Sequence, residues 1–198
     1  MTGPTILGLS GNVKRPSRTA SLVESIVSLA VDRLGGRGRI IELVNAAPVL
    51  FKALRADQLD EEGRAIIDAV ETADVLVVGS PVYRASYTGA LKHLFDLVDY
   101  RALTGKRIIL AATGGTPLHG LMTEHQLRPL FGFFNAFTLP TAIYATEADF
   151  SGYEISNPAV DARIQRAVSE LAQAVSANDQ TQSASVAGHR PALVAASA

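Results

Sequence analysis

The chain of 198 residues contains no cysteine. That absence excludes a disulfide framework, thiolate metal sites and any mechanism built on a cysteine nucleophile. It is compatible with a reducing compartment and says little more about location. An excess of one charge is missing too: 18 Lys and Arg stand against 19 Asp and Glu, a formal net charge of -1. Nothing in that balance pulls the protein toward nucleic acid or an anionic lipid surface, so neither is expected as a partner. Any bound anion must be held by a local arrangement. Long apolar runs are also absent; stretches such as Ile108 to Ala112 are far too short to span a bilayer. The opening run Met1 to Asn12 lacks the charged start and long apolar stretch of a secretory signal. A cytoplasmic protein without membrane attachment is the expectation. No pairing of histidines and carboxylates has metal-ligand spacing, so no metal is predicted.

What is present is an alternation of short aliphatic runs with helical patterns. The runs are Thr5 to Leu9, Arg39 to Leu43, Asp74 to Val78, Arg107 to Ala111, and Leu139 to Tyr144. The first, third and fourth are almost continuously apolar, as parallel strands covered on both faces must be. Between them, Val23, Ile26, Val27, Ala30 and Leu34 form a helical stripe stopped by Gly35-Gly36. Leu59, Ile66, Ile67 and Val70 mark a second helix; Leu91, Leu94, Phe95 and Val98 mark a third. A long apolar helix is predicted from about Leu118 to Phe137, and a last one carries Val160, Ile164, Ala167, Val168, Leu171 and Val175. This order predicts an α/β domain with a parallel sheet and right-handed crossovers. Periodicity fails from about Ala177, so a single domain over residues 1–176 and a disordered tail over 177–198 are expected.

In a doubly wound sheet, ligands bind beyond the carboxyl ends of the strands. Three loops there stand out. The first, Ser10 to Thr19, is rich in hydroxyls and cations and opens onto a helix. A helix N-terminus favours a phosphate, with hydroxyls from Ser10, Ser17 and Thr19 and charge from Arg15 or Arg18. An N-cap at Ser17 with solvated basic neighbours explains the same loop without a ligand. Neither the G-x-G-x-x-G nor the G-x-x-x-x-G-K-[ST] pattern is present, so one phosphate monoester fits better than a pyrophosphate. The second loop, Gly79 to Gly89, places Pro81 and Tyr83 where backbone and ring can meet a flat ligand, although tyrosines in loops also pack simply as amphipathic residues. In the third, Thr113-Gly114-Gly115-Thr116, bare glycine N–H groups can approach a ligand edge, or simply form a tight turn.

Taken together, Ser10 to Thr19, Ser80 to Lys92 and Ala112 to Thr116 resemble the NAD(P)H-dependent FMN reductases of sulfonate assimilation. His125 to Phe131 and Tyr144 to Phe150 resemble the methanesulfonate type within that family, and the likeness spans about residues 5 to 172. The resemblance implies a flavodoxin-like three-layer sandwich with a five-stranded parallel sheet in the order 2-1-3-4-5. It implies that Ser10, Arg15, Ser17, Arg18 and Thr19 hold the FMN phosphate. Pro81, Val82, Tyr83 and Arg84 would line one side of the isoalloxazine, with Thr113, Gly114 and Gly115 at its pyrimidine end. NADPH or NADH would supply the hydride, and no side chain is given an acid or base role. Asn12-Val13-Lys14 departs from the family pattern, and Lys14 is assigned nothing. Members of this type commonly release FMNH2 to a separate monooxygenase. A quinone or azo reductase that keeps FMN tightly bound is the alternative on the same fold. A permanent FMN electron carrier would be more acidic than this chain.

His125 carries a further expectation. The apolar stripe Leu118, Leu121, Met122 is out of phase with Leu127, Leu130, Phe131, Phe134. One extra residue in a π-type turn near His125 reconciles the two; an ordinary helix buried on most faces, with His125 satisfied in an interface, is the alternative. In similar reductases such an insertion lies at a subunit interface beside the flavin, which implies flavin that exchanges. His119, just past the glycine pair, is a second candidate for facing flavin or nicotinamide. The apolar helices at 90–98 and 118–137 suggest a homo-oligomer, dimer or tetramer.

Overall fold

The computed structural model describes residues 3–185, with the stretch from 177 described for its backbone alone. Strand β1 (Thr5–Ser10) leads into helix α1 (Arg18–Leu34), followed by β2 (Arg37–Glu42) and α2 (Leu43–Leu50). Helix α3 (Glu61–Thr72), β3 (Val75–Pro81), α4 (Gly89–Leu97) and β4 (Arg107–Gly114) continue the alternation. Then come α5 (Arg128–Phe133), β5 (Phe137–Thr138), β6 (Ile143–Thr146), the hairpin β7 (Phe150–Ser151) and β8 (Glu154–Ile155), and α6 (Pro158–Ser185). All main-sheet pairings are parallel, in the order β2-β1-β3-β4-β5, with β6 also pairing β4. This is the expected flavodoxin-like topology, with its switch point between β1 and β3.

Alternation along each strand divides the core in two. Ile6, Val75, Val77, Ile109 and Ala111 face α1 and α6, packing on Leu22, Val23, Ile26, Ile164 and Val168. Leu7, Leu9, Leu76, Val78 and Leu110 face the other layer, with Leu50, Ile67, Leu91, Leu94 and Phe131. Side chains of successive strand residues point to opposite faces, so a strand buried on both sides reads as an unbroken apolar run.

The fold corrects several sequence expectations. The second strand begins at Arg37 rather than Arg39, and Leu43 opens α2, a short helix with Pro48 inside it. The fifth strand is two pieces, β5 and β6, because Pro140 has no N–H to give the ladder. Arg128 bridges the gap, donating to Thr138 Oγ1 and the Leu139 carbonyl, both at 2.9 Å. Glu170 of α6 accepts from the Thr141 N–H at 2.9 Å and its hydroxyl at 2.6 Å.

The long helix expected from Leu118 to Phe137 is instead a chain of short pieces. A 3₁₀ turn (Pro117–His119), a π turn (Thr123–Leu127) and α5 succeed one another. Within the π turn the Arg128 N–H reaches back to the Thr123 carbonyl, the five-residue step that the phase break requires. Asn135, at φ 53°, then turns the chain into β5. At the other end α6 continues beyond Ala177 to Ser185; the rest of the expected tail lies outside the described residues. No helix among the described residues is long and apolar enough to cross a membrane.

Candidate functional site

A cleft of about 290 Å³ opens at the carboxyl edge of the sheet. Its walls come from the three loops singled out in the sequence. Ser17, Arg18 and Thr19 line it from the start of α1, Pro81, Val82 and Tyr83 from the end of β3, and Thr113, Gly114 and Gly115 from the end of β4. Parallel strands in register bring these loop ends to one level, with Ser10 opposite Gly79 and Pro81 opposite Thr113.

The loops are bound to one another. The Gly11 N–H donates to the Gly79 carbonyl at 2.7 Å, and the Thr88 hydroxyl donates to the Gly11 carbonyl at 2.9 Å. Thr88 also receives a capping bond from Leu91 at the start of α4, and its own N–H donates to Ser80 Oγ. The hydroxyls of Thr19 and Thr113 lie 2.6 Å apart, joining the start of α1 to the end of β4. The Val82 N–H donates to the Thr113 carbonyl. Beyond it, Tyr83 and Ser86 exchange two backbone hydrogen bonds around Arg84 (φ 51°) and Ala85 (φ 64°). Two non-glycine residues in left-handed conformation persist only where neighbours over-determine them, and such turns concentrate at functional sites.

At the start of α1, Ser17 is the N-cap, its Oγ accepting from the Ala20 N–H at 3.2 Å. The capping expectation is therefore met, and the helix end still opens into the cleft. Opposite, Gly114 lies under Tyr144: a Cβ there would meet the phenolic oxygen at 2.1 Å. That phenol donates to the Thr116 carbonyl at 2.6 Å and fixes the loop. Burial raises the Tyr144 pKa, with the nearby Asp149 charge acting in the same direction.

Five sequence-predicted residues do not line the cleft. Ser10 is fully buried. Arg15 turns to Glu42, forming an ion pair with it. The Arg15 hydrogen bond holds the Glu42 carboxyl below its ordinary range despite partial burial, with Asn12 adding a second donor. Arg84 is exposed on the turn, His119 at the end of the 3₁₀ turn and His125 on the π turn.

Five lining residues have no ligand role expected from the sequence: Asn12, Lys14, Pro16, Glu147 and Tyr153. Glu147 follows β6 and lies 2.8 Å from Arg18 through Nη2. Tyr153, on the β7–β8 hairpin, has the Arg18 guanidinium 5.3 Å from its ring centroid. The same sheet-edge rule that selected the other loops applies after the last strand and would have found both.

Three buried polar atoms here have no partner among the described residues: Ser10 Oγ, Asn12 Oδ1 and Arg18 Nε. Buried polar atoms are nearly always hydrogen-bonded, so these suit a polar ligand at the mouth of α1. No group of His, Asp or Glu among the described residues could hold a metal ion.

Comparison with known proteins agrees with this geometry. Residues 4–150 match the model of the NADPH-dependent FMN reductase family. An FMN reductase (NADPH) of Pseudomonas aeruginosa is 47% identical, the match covering 87% of this chain and 93% of the relative. The NADH-dependent FMN reductase SfnF of Pseudomonas fluorescens is also 47% identical, over 84% of this chain and 89% of its own. The apo crystal structure of an NADH:FMN oxidoreductase, EMOB, superposes with a TM-score of 0.77 at 29% identity, covering 86% of this chain and 89% of that one. Family model, near relatives and fold converge, and the chain belongs to the NADPH-dependent FMN reductase family.

Proposed function

We propose that this NAD(P)H-dependent FMN reductase binds FMN in the cleft at the mouth of α1 and releases FMNH2 to a separate monooxygenase in sulfonate use. The observation that carries the placement is the convergence of a helix N-terminus, a braced β3 loop and a glycine pair on one opening. The N–H groups at the start of α1 and the hydroxyls of Ser17 and Thr19 hold the phosphate, with Arg18 supplying charge. Pro81, Val82 and Tyr83 lie along one side of the isoalloxazine. Gly114 and Gly115 leave the other end open to backbone contact, and a Cβ on Gly115 would meet nothing. Ser10 supports the phosphate loop from beneath, Arg15 braces it through Glu42, and Arg84 lies at the lip.

When bound, the flavin supplies the redox chemistry, accepting hydride at its N5 from nicotinamide C4. The chain's work is to fix ring position and keep water out, and no side chain is required to move a proton. A reaction that consumes NAD(P)H belongs where that pool is, and cytoplasmic location follows from that.

Exchange of flavin is supported by the π turn, whose irregular ladder beside the exposed His125 is an uncommon element found at functional sites. Leu118, Leu121, Phe133 and Phe137 are exposed in the same segment. An apolar patch of this kind suits self-association as a dimer or tetramer, with His119 and His125 near the contact.

NADH and NADPH oxidation by the purified protein, with and without FMN, FAD or riboflavin, tests the reading. Turnover is expected only with added flavin and without a quinone. Turnover that needs a quinone and no flavin, or a protein isolated yellow, would assign the chain to quinone or azo reduction with resident FMN.

A further inference from the structure

The cleft contains a group that opposes its own ligand. Among the described lining residues Glu147 is the one carboxylate, and it stands beside the helix end assigned to a phosphate dianion. Its Oε1 lies 2.8 Å from Arg18 Nη2, and the Tyr153 ring backs the guanidinium. Arg18 Nε, buried, still has no partner among the described residues. The guanidinium is thus half engaged, with its fork not fully used by the carboxylate.

The support beneath Glu147 is firm while its side chain, held only by Arg18 among the described residues, faces solvent. Thr146 donates its N–H and hydroxyl to Asp149 Oδ2 at 2.6 and 2.8 Å, and Asn157 Nδ2 donates to Asp149 Oδ1 at 2.5 Å. These bonds pin the turn that begins at Glu147. The Glu147 side chain itself is 69% exposed and can swing into water with no backbone motion. An ion pair so exposed does little for stability. Its position at the phosphate site is what gives it an effect.

We propose that Glu147 competes with the flavin phosphate for Arg18 and thereby keeps FMN exchangeable. This rests on the placement of the FMN phosphate at the start of α1. Binding breaks the Arg18–Glu147 pair and leaves a carboxylate close to the phosphate. Both effects weaken FMN and favour its departure, while riboflavin, which lacks the phosphate, escapes both. Glu147 is a specificity-determining residue that sets affinity; it takes no part in hydride transfer.

The test is flavin binding by fluorescence quenching, with FMN and riboflavin as probes, on wild type, Glu147→Gln, Arg18→Ala and the double variant. Glu147→Gln is expected to lower the FMN Kd by about three- to tenfold, the range for removing one screened charge near a dianion. Riboflavin binding should change by less than about twofold, which also reports an intact cleft. In the Arg18→Ala background the Glu147→Gln effect on FMN should shrink to the part that direct carboxylate–phosphate repulsion contributes, because the contested cation is gone; an undiminished effect would refute the competition. If FMN affinity is unchanged in Glu147→Gln while wild type still prefers FMN to riboflavin and Arg18→Ala weakens FMN, the role of Glu147 is refuted and the phosphate site stands. Equal tightening of both flavins refutes it as well. If wild type shows no preference for FMN and Arg18→Ala changes neither flavin, the phosphate placement fails and the competition fails with it.

Discussion

Replacing Gly79 by Ala tests whether α1 is held at a fixed height above the sheet. Gly79 lies on β3 beneath α1, and a Cβ there would stand 2.4 Å from Val23 Cγ2. Val23 is fully buried and β-branched, so it has no free rotamer to retreat into. The Thr19 and Ala111 side chains, at 3.5 and 3.8 Å, close the remaining directions. Overpacking of this kind costs about 1–3 kcal/mol. The φ of Gly79 is not left-handed, so Ala recovers about 0.4–1 kcal/mol by restricting the unfolded chain. The net expectation is a loss of about 1–2 kcal/mol, or a fall in Tm of about 2–8 °C for a chain of this size. The same displacement lifts the start of α1 and strains the 2.6 Å contact between Thr19 and Thr113, so FMN binding should weaken in parallel. Urea denaturation of Gly79→Ala, Val23→Ala and the pair decides the cause. The double variant should be at least about 1 kcal/mol more stable than the single effects add up to, because the clash disappears. Strict additivity would refute the steric argument.

Two further perturbations follow from the same geometry. Asp74 accepts hydrogen bonds from the Thr5 N–H and hydroxyl, which hold its carboxyl below the ordinary range. A depressed folded pKa contributes stability that is complete above the unfolded value of about 3.9 and is lost as pH falls through the folded one. Denaturant titrations between neutral and strongly acidic pH should therefore show a smaller acid loss in Asp74→Asn than in wild type; an identical slope would contradict the assignment. Tyr144→Phe removes the bond to the Thr116 carbonyl, a loss of about 0.5–1.5 kcal/mol. With that loop loosened beside Gly114, the KM for FMN should rise more than kcat falls, as steady-state kinetics would record.

The strands and the three loops that line the cleft were legible because both rest on local signals. An apolar run covered on two faces cannot hide, and a hydroxyl-rich loop before an apolar stripe marks the start of a helix, here capped by Ser17. What escaped depended on tertiary context. Leu43 extends an apolar run yet starts α2, and Pro48 conceals that helix from periodicity. The segment 118–137 has helical phase on either side of His125, so it reads as one helix with an insertion. Its 3₁₀ start and its end at Asn135 are set by turns that the apolar pattern does not encode. Pro140 signalled the break in the fifth strand, but not that Arg128 and Glu170 would fill it. Arg18 was identified as a cation for an anion, whereas its neighbours Glu147 and Tyr153 lie far along the chain and meet it only through the fold.

The interrupted fifth strand also governs how this molecule can meet copies of itself. An open sheet presents unpaired N–H and C=O groups at each border, a template onto which another chain can be added. Here one border consists of β5, two residues long, then Pro140, then β6 in a separate piece. The opposite border, β2, begins Arg37-Gly38-Arg39, where charge and exposure disfavour a second strand. One border is broken, and the other is continuous but guarded by charge at its start. Sheet extension is disfavoured at both borders, and the exposed apolar side chains around the π turn offer a surface where contact does not require strand pairing.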